Sequence, residues 1–323
     1  MRLAELRRID FVVGHIRELL KDADADPQKI IQVFQARTEG LGKSKDAGFS
    51  RMSDIIDRIV ANQELPEEQQ EKPISTGIPI VDSVIEGFSP GKLYLLGGRT
   101  RKGKSALAGN FALAAINQGK SVWFVSMEMP EQELGARTIA YALSIDLTRF
   151  KGKLSVDELT KIKLWNDTQR ESENWVTTGK ESLRSIDAKV KLRKSLEGLD
   201  LLILDNLQLI REPSIRERVE RLKHITEELK IMAKEHDIAV LLLCQLNGDA
   251  EDDDEVSITS WAGCKTIADD ADVTMILTTS EETENKVRDS QLLIHKVRGG
   301  VGNIDLNLAF IGKYQAFEAR LSR

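Results

Sequence analysis

The stretch LYLLGGRTRKGKSALAGNFA, Leu93 to Ala112, decides the fold. It passes from an apolar run through Gly98-x-x-x-x-Gly103-Lys104-Ser105 into a helical pattern, with Leu107, Phe111 and Ala115 on one face and Gly119 after it. Strand, glycine loop and helix in that order are the context a phosphate-binding loop requires. The glycines let backbone N–H groups at the helix N-terminus close on phosphates, a lysine reaches the β- and γ-phosphates, and a hydroxyl ligates Mg²⁺. Gly98, Arg99, Thr100, Arg101, Lys102, Gly103, Lys104, Ser105 and Ala106 are therefore expected to hold ATP, with Ser105 on Mg²⁺. What the nucleotide is for, such a loop does not say.

Outward from the loop, apolar runs alternate with helical segments: KLYLLG, SVWFVSM, LDLLILD, IAVLLLCQ, ADVTMILT and QLLIHKV. Near-continuous apolar strands separated by helices predict an α/β fold, a mainly parallel sheet between helices. In such a sheet the carboxyl ends of the strands share one edge, and ligands bind there. Glu128 follows SVWFVSM, Asp205 closes LLILD, and Gln245 closes VLLLC. That places them beside Lys104: Asp205 to hold Mg²⁺ through water, Glu128 to orient or deprotonate the attacking water, and Gln245 to sense the γ-phosphate. Each also has a plainer reading, since strands commonly turn polar on leaving a core.

The chain has 323 residues, 41% apolar and 30% charged, the proportions of a globular protein. Its two cysteines, Cys244 and Cys264, are too few for a disulfide framework, which fits a reducing interior. No run approaches the roughly 20 apolar residues that cross a bilayer, so a cytoplasmic protein without a membrane partner is expected. The net charge of −6 excludes a protein that coats nucleic acid with its whole surface, though a local basic strip stays compatible with it. Residues 1–65 read as helices without strands. Leu3, Leu6, Ile9, Val13, Ile16 and Leu20 recur at helical spacing, a second helix begins at Asp26-Pro27, and a third, about 49–63, gathers Met52, Ile55, Ile56, Ile59 and Val60. The polar, proline-bounded residues 66–73 read as a linker to a core over 74–323.

The segments STGIPIVDSVIEGFSPGKLYLLGGRTRKGKS, FVSMEMP, LDLLILDNLQLI, ITEELKIMAKEHDIAVLLLCQLN, IADDADV and IHKVRGGVGNIDLNLAF resemble, in order and spacing, the successive motifs of the bacterial replicative helicase family of DnaB type. The resemblance implies a RecA-like P-loop NTPase core, a homohexameric ring with ATP at subunit interfaces, and hydrolysis-driven movement along single-stranded DNA. It implies that Lys296 and Arg298, in HKVRGG, reach the γ-phosphate bound by the neighbouring subunit; a plain β-hairpin turning at Gly299-Gly300 is the other reading. DNA contact in the family comes from channel-facing loops, which points to Arg211, Arg216 and Arg218 in IREPSIRERVERLKH. Glu217 and Glu220 interleave with these arginines, so a solvated helix face reads equally well. The third helix stands where the family has a linker helix that docks on the adjacent subunit, and the helices before it are the place for a primase or loader.

The sequence also departs from the family. Gly248 and an acidic run, 249–255, stand where a basic residue is usual; Ala268 replaces an acid in IADDADV; the phosphate loop is unusually basic; and only about seventy residues precede the core. These differences leave room for a nucleotide-dependent assembly switch or helicase regulator without unwinding activity.

Overall fold

A computed structural model describes residues 51–66, 70–170, 174–196, 198–246, 265–280 and 287–320. The helices expected within residues 1–45, the acidic run 249–255 and Gly248 lie outside them. The chain divides into two compact units, Met1–Glu71 and Lys72–Arg323. In the first, α1 spans Met52–Glu64, within a residue or so of the expected third helix. None of its residues is buried, and Met52, Ile56, Ile59 and Val60 are exposed.

The second unit is built on a nine-stranded sheet in the order β3-β2-β4-β5-β1-β6-β7-β8-β9. Its elements run β1 Leu93–Gly98, β2 Val122–Ser126, β3 Asn174–Thr178, β4 Leu201–Asp205, β5 Ala239–Gln245, β6 Val273–Thr279, β7 Val287–Val297, β8 Ile304–Ile311 and β9 Ala316–Ala319. The helices are α2 Pro79–Ile85, α3 Lys104–Asn117, α4 Glu131–Leu143, α5 Val156–Gln169, α6 Leu183–Leu196, α7 Arg218–His236 and α8 Lys265–Asp270. From β3 to β6 every pairing is parallel, whereas β6 to β9 pair antiparallel.

The apolar runs became strands because both faces are covered. Tyr94 and Leu96 point into a core with Leu107 and Phe111 of α3, while Leu93 and Leu95 point into a second core with Ile225 and Leu229 of α7. QLLIHKV differs from the other runs in forming part of an antiparallel strand. Only residues 280–286 separate β6 from β7, too few for the crossover a parallel pair demands. The sequence NWVTT of β3 carries no apolar run, as suits an edge strand only partly covered, and periodicity did not disclose it.

The last strand is fastened to the helix of the phosphate loop. The buried Asn110 of α3 donates Nδ2–H to Gln315 O (2.9 Å) and accepts from Phe317 N–H at Oδ1 (2.7 Å). Asn110→Ala leaves both backbone groups buried and unpaired. We expect a loss of about 2 kcal/mol and a fall in Tm of roughly 4–8 °C, read by thermal unfolding.

Candidate active site

The order β2-β4-β5-β1 sets four parallel strands side by side, so their carboxyl ends deliver Glu128, Asp205, Gln245 and the phosphate loop along one edge. The loop is shaped by two close approaches. A Cβ on Gly98 would lie 2.8 Å from Leu277 O, and Gly103, at φ +94°, would bring one to 2.9 Å from the Phe317 ring. Neither position admits a side chain, and Gly103 also needs the left-handed backbone glycine adopts freely.

Lys104, 8% exposed, donates to Gly98 O (2.8 Å) and Arg99 O (2.9 Å). Burial pushes its ammonium below the ordinary lysine value, against the pull of Asp205. Asp205, at the end of β4, is 1% exposed and accepts a hydrogen bond from the Ser105 hydroxyl. Burial pushes its carboxyl up; the Ser105 hydroxyl opposes this and the Glu128 charge adds to it. Its Oδ2 is buried without a hydrogen-bond partner. A hydroxyl, an ammonium and a carboxylate with one oxygen to spare suit a hydrated Mg²⁺ bridging a nucleotide. No group of three or more His, Cys, Asp or Glu among the described residues could form a separate metal site.

Glu128 is exposed and accepts from Asn206 Nδ2 (3.1 Å), the residue after Asp205. Gln245 donates through Nε2 to the Thr100 hydroxyl and so touches the phosphate loop directly. Its backbone is clasped from both sides by Gln208, whose Oε1 accepts from Gln245 N–H (3.2 Å) and whose Nε2 donates to Gln245 O (2.9 Å). Lys102 turns its ammonium to Thr279 O (2.6 Å), and Arg101 sits at φ +64°. Ala106 is buried in the first turn of α3.

Arg211, Arg216 and Arg218 leave the same edge. Arg211 is exposed, while its main chain is held by Glu181 O (2.9 Å) and Leu183 N–H (3.3 Å); Arg216 lies in the exposed loop, and Arg218 opens α7. Glu217 caps α7 by accepting from Val219 N–H (2.9 Å) and Glu220 N–H (2.5 Å).

Lys296 and Arg298 are not with the others. The pairs Tyr94↔Val273 and Val273↔Val297 place them at the amino ends of the parallel strands, opposite the phosphate loop. A bulge sets Lys296 against Thr274 and Ile294 against Met275, leaving His295 extra. The extra residue reverses the alternation: Ile294 and Val297 pack on one core, and Lys296 turns to the face of α8. There its ammonium donates to Ala268 O (3.0 Å) and Asp269 O (2.8 Å), while burial and then the Arg298 charge lower its pKa. Arg298, about half exposed, pairs with Asp272 Oδ1 (3.3 Å). Asn206, Gln208 and Asp272 escaped the sequence reading of the site, although Asp272 stands in a segment that carries the resemblance.

Residues 73–319 match the family model of the DnaB-like helicase C terminal domain. The replicative DNA helicase DnaB of Rickettsia prowazekii is 30% identical over 264 residues, which cover 76% of this chain and 54% of that protein. That of Rickettsia typhi is 32% identical over 314 residues (85% and 63%), and that of Helicobacter pylori 26% over 285 (84% and 58%). The chain thus spans less than two-thirds of the length of these relatives. Among solved structures, the ATPase domain of G40P aligns with a TM-score of 0.74 at 21% identity, covering 84% of this chain and all of that one. The structure of a DnaB-like replicative helicase and its interactions with primase aligns with a TM-score of 0.70 at 20% identity, covering 97% and 76%. At those identities the likeness shows the fold, a RecA-like helicase domain.

The buried carboxyl of Asp205 carries a desolvation cost that a neutral amide of the same shape avoids. Asp205→Asn is expected to raise the unfolding midpoint measured without nucleotide or Mg²⁺ while abolishing Mg²⁺-dependent hydrolysis. A lowered midpoint would show that the carboxylate is compensated in the free protein.

Proposed function

Because the chain belongs to the DnaB-like helicase C-terminal domain family, we propose that it is an ATP-dependent helicase of the replicative type, working as a homohexameric ring on single-stranded DNA in the cytoplasm. The observation that carries the reading is the division of charged groups between the two edges of the sheet. Lys104, Ser105, Asp205, Glu128 and Gln245 gather at one edge, and Lys296 and Arg298 stand at the other. A nucleotide on the loop would be out of reach of Arg298 in its own chain, as a head-to-tail ring requires.

The steps follow from these residues. Lys104 leaves the Gly98 and Arg99 carbonyls for the β- and γ-phosphates, and the loop's N–H groups close on them. Mg²⁺, held by Ser105 and through water by Asp205, would offset the charge on the phosphates. Glu128, steadied by Asn206, orients the attacking water and takes its proton. Arg298 of the neighbouring subunit, with Lys296, stabilises the charge that develops on the transferred group, a contribution worth about 10³–10⁵ in rate in other NTPases. Gln245 senses the γ-phosphate through Thr100, and Gln208 ties that sensor to the turn leading into the arginine loop. The exposed apolar face of α1 suits the linker role, docking on an adjacent subunit, and the segment before it suits a primase or loader. Arg211, Arg216 and Arg218 would grip the DNA backbone, which needs cations rather than base recognition.

The deciding measurement is ATP hydrolysis with and without single-stranded DNA. We expect stimulation by DNA that disappears in Lys104→Ala; hydrolysis indifferent to DNA would favour an assembly switch over a motor. The double substitution Arg216→Ala with Arg218→Ala should weaken DNA binding and lower the salt slope of log K by about 2, since each lost phosphate contact removes close to one unit. DNA-free hydrolysis should be unaffected. An unchanged slope would move the grip to another loop.

A further inference from the structure

Asp272 is a buried carboxylate with more than its share of cations. Its side chain is 7% exposed, and Oδ2 accepts from Leu93 N–H (2.8 Å) and from the Lys230 ammonium of α7 (2.5 Å). Lys230 is itself 12% exposed and is also held by Gly91 O (2.7 Å). That pair is geometrically complete, so Lys230 suffices to neutralise the carboxylate. The remaining oxygen, Oδ1, faces the Arg298 guanidinium at the longer separation of 3.3 Å.

The main chain reinforces the arrangement. Arg298 N–H donates to Asp272 O (2.7 Å), and Asp272 N–H donates to Leu93 O (2.9 Å). The backbone of Arg298 is thus fixed through Asp272 to the first residue of β1, the strand whose far end is the phosphate loop. Two cations share one anion, and the surplus positive charge rests on the partner that is 53% exposed. An exposed cation held loosely beside an already neutralised carboxylate loses little on moving to a phosphate. Leaving a buried carboxylate that nothing else neutralised would cost several kcal/mol.

Resting on the trans-arginine reading above, we infer that Asp272 is the positioning residue for Arg298: it aims the guanidinium across the subunit boundary, and Lys230 keeps the hold weak enough to release. Lys296 is fastened separately, to the last carbonyls of α8. The aim of Arg298 therefore depends on Asp272 and not on its neighbour two residues earlier. Asp272 touches no reacting atom, and its influence passes through Arg298 alone.

The test compares ATP hydrolysis by the full chain in the presence of single-stranded DNA for Asp272→Asn, Arg298→Ala and the double variant. Asparagine keeps an acceptor for Leu93 N–H and removes the charge. The expected result is a fall in kcat of about ten- to a hundredfold for Asp272→Asn, the scale of a misplaced catalytic group, with KM for ATP changed by less than about twofold. No further fall is expected when Asp272→Asn is added to Arg298→Ala. Lys230→Met, which leaves the carboxylate to Arg298 alone, should also lower kcat only where Arg298 is present, and it serves if the asparagine variant does not fold. Losses that add in full, or a lowered Tm with kcat unchanged, would overturn the inference and make the network a structural ion pair. If Arg298→Ala itself leaves kcat intact, the trans-arginine reading falls first and this one with it.

Discussion

The structure depends on one constraint: strands β3, β2, β4, β5, β1 and β6 all run the same way. A parallel sheet gives the protein a polarity that an antiparallel one lacks, because its two edges are chemically different. One receives every strand as it leaves the core, and polar residues from distant parts of the chain meet there without any local signal linking them. The other receives the strand starts and, through the antiparallel β7, the pair Lys296 and Arg298. A site divided between these edges is complete only between two molecules placed head to tail. Oligomerisation then belongs to the chemistry rather than being added to it.

The same constraint explains what the sequence disclosed. The glycine spacing of Gly98 and Gly103 is local, and so is the habit of buried strands ending on a polar residue; both could be read along the chain. The strands with continuous apolar runs were legible for the same reason, while β3 was not, because an edge strand needs no such run. Residues whose role is set by a partner far away in sequence stayed hidden. Gln208 matters because it spans to Gln245, and Asp272 because it lies between Leu93, Lys230 and Arg298. The face presented by Lys296 could not be read at all, since it depends on a single bulged residue that shifts the alternation of β7.

Burial gives the nucleotide site its energetic character. Lys104 and Asp205 are both taken out of water, each partly compensating the other, and each is driven toward its neutral form. Such a pair contributes little to the stability of the free protein. It is arranged for an incoming polyanion and its cation, which would supply the missing charges at once and turn a costly arrangement into a favourable one. Stability and function pull apart here, as they commonly do where a site is organised before its ligand arrives.

The fastening of β9 to α3 has a consequence for biosynthesis. The phosphate loop is translated early, yet Gly103 is packed by Phe317 and Asn110 is satisfied by the backbone at Gln315 and Phe317. While the nascent chain is still short, the loop stands without the ring that backs it and the helix without the strand that pins it. Nucleotide competence is therefore acquired late in translation. A ribosome-bound fragment would carry the whole phosphate-binding signature and still lack its support, which keeps unfinished chains from competing for ATP or for places in an assembly.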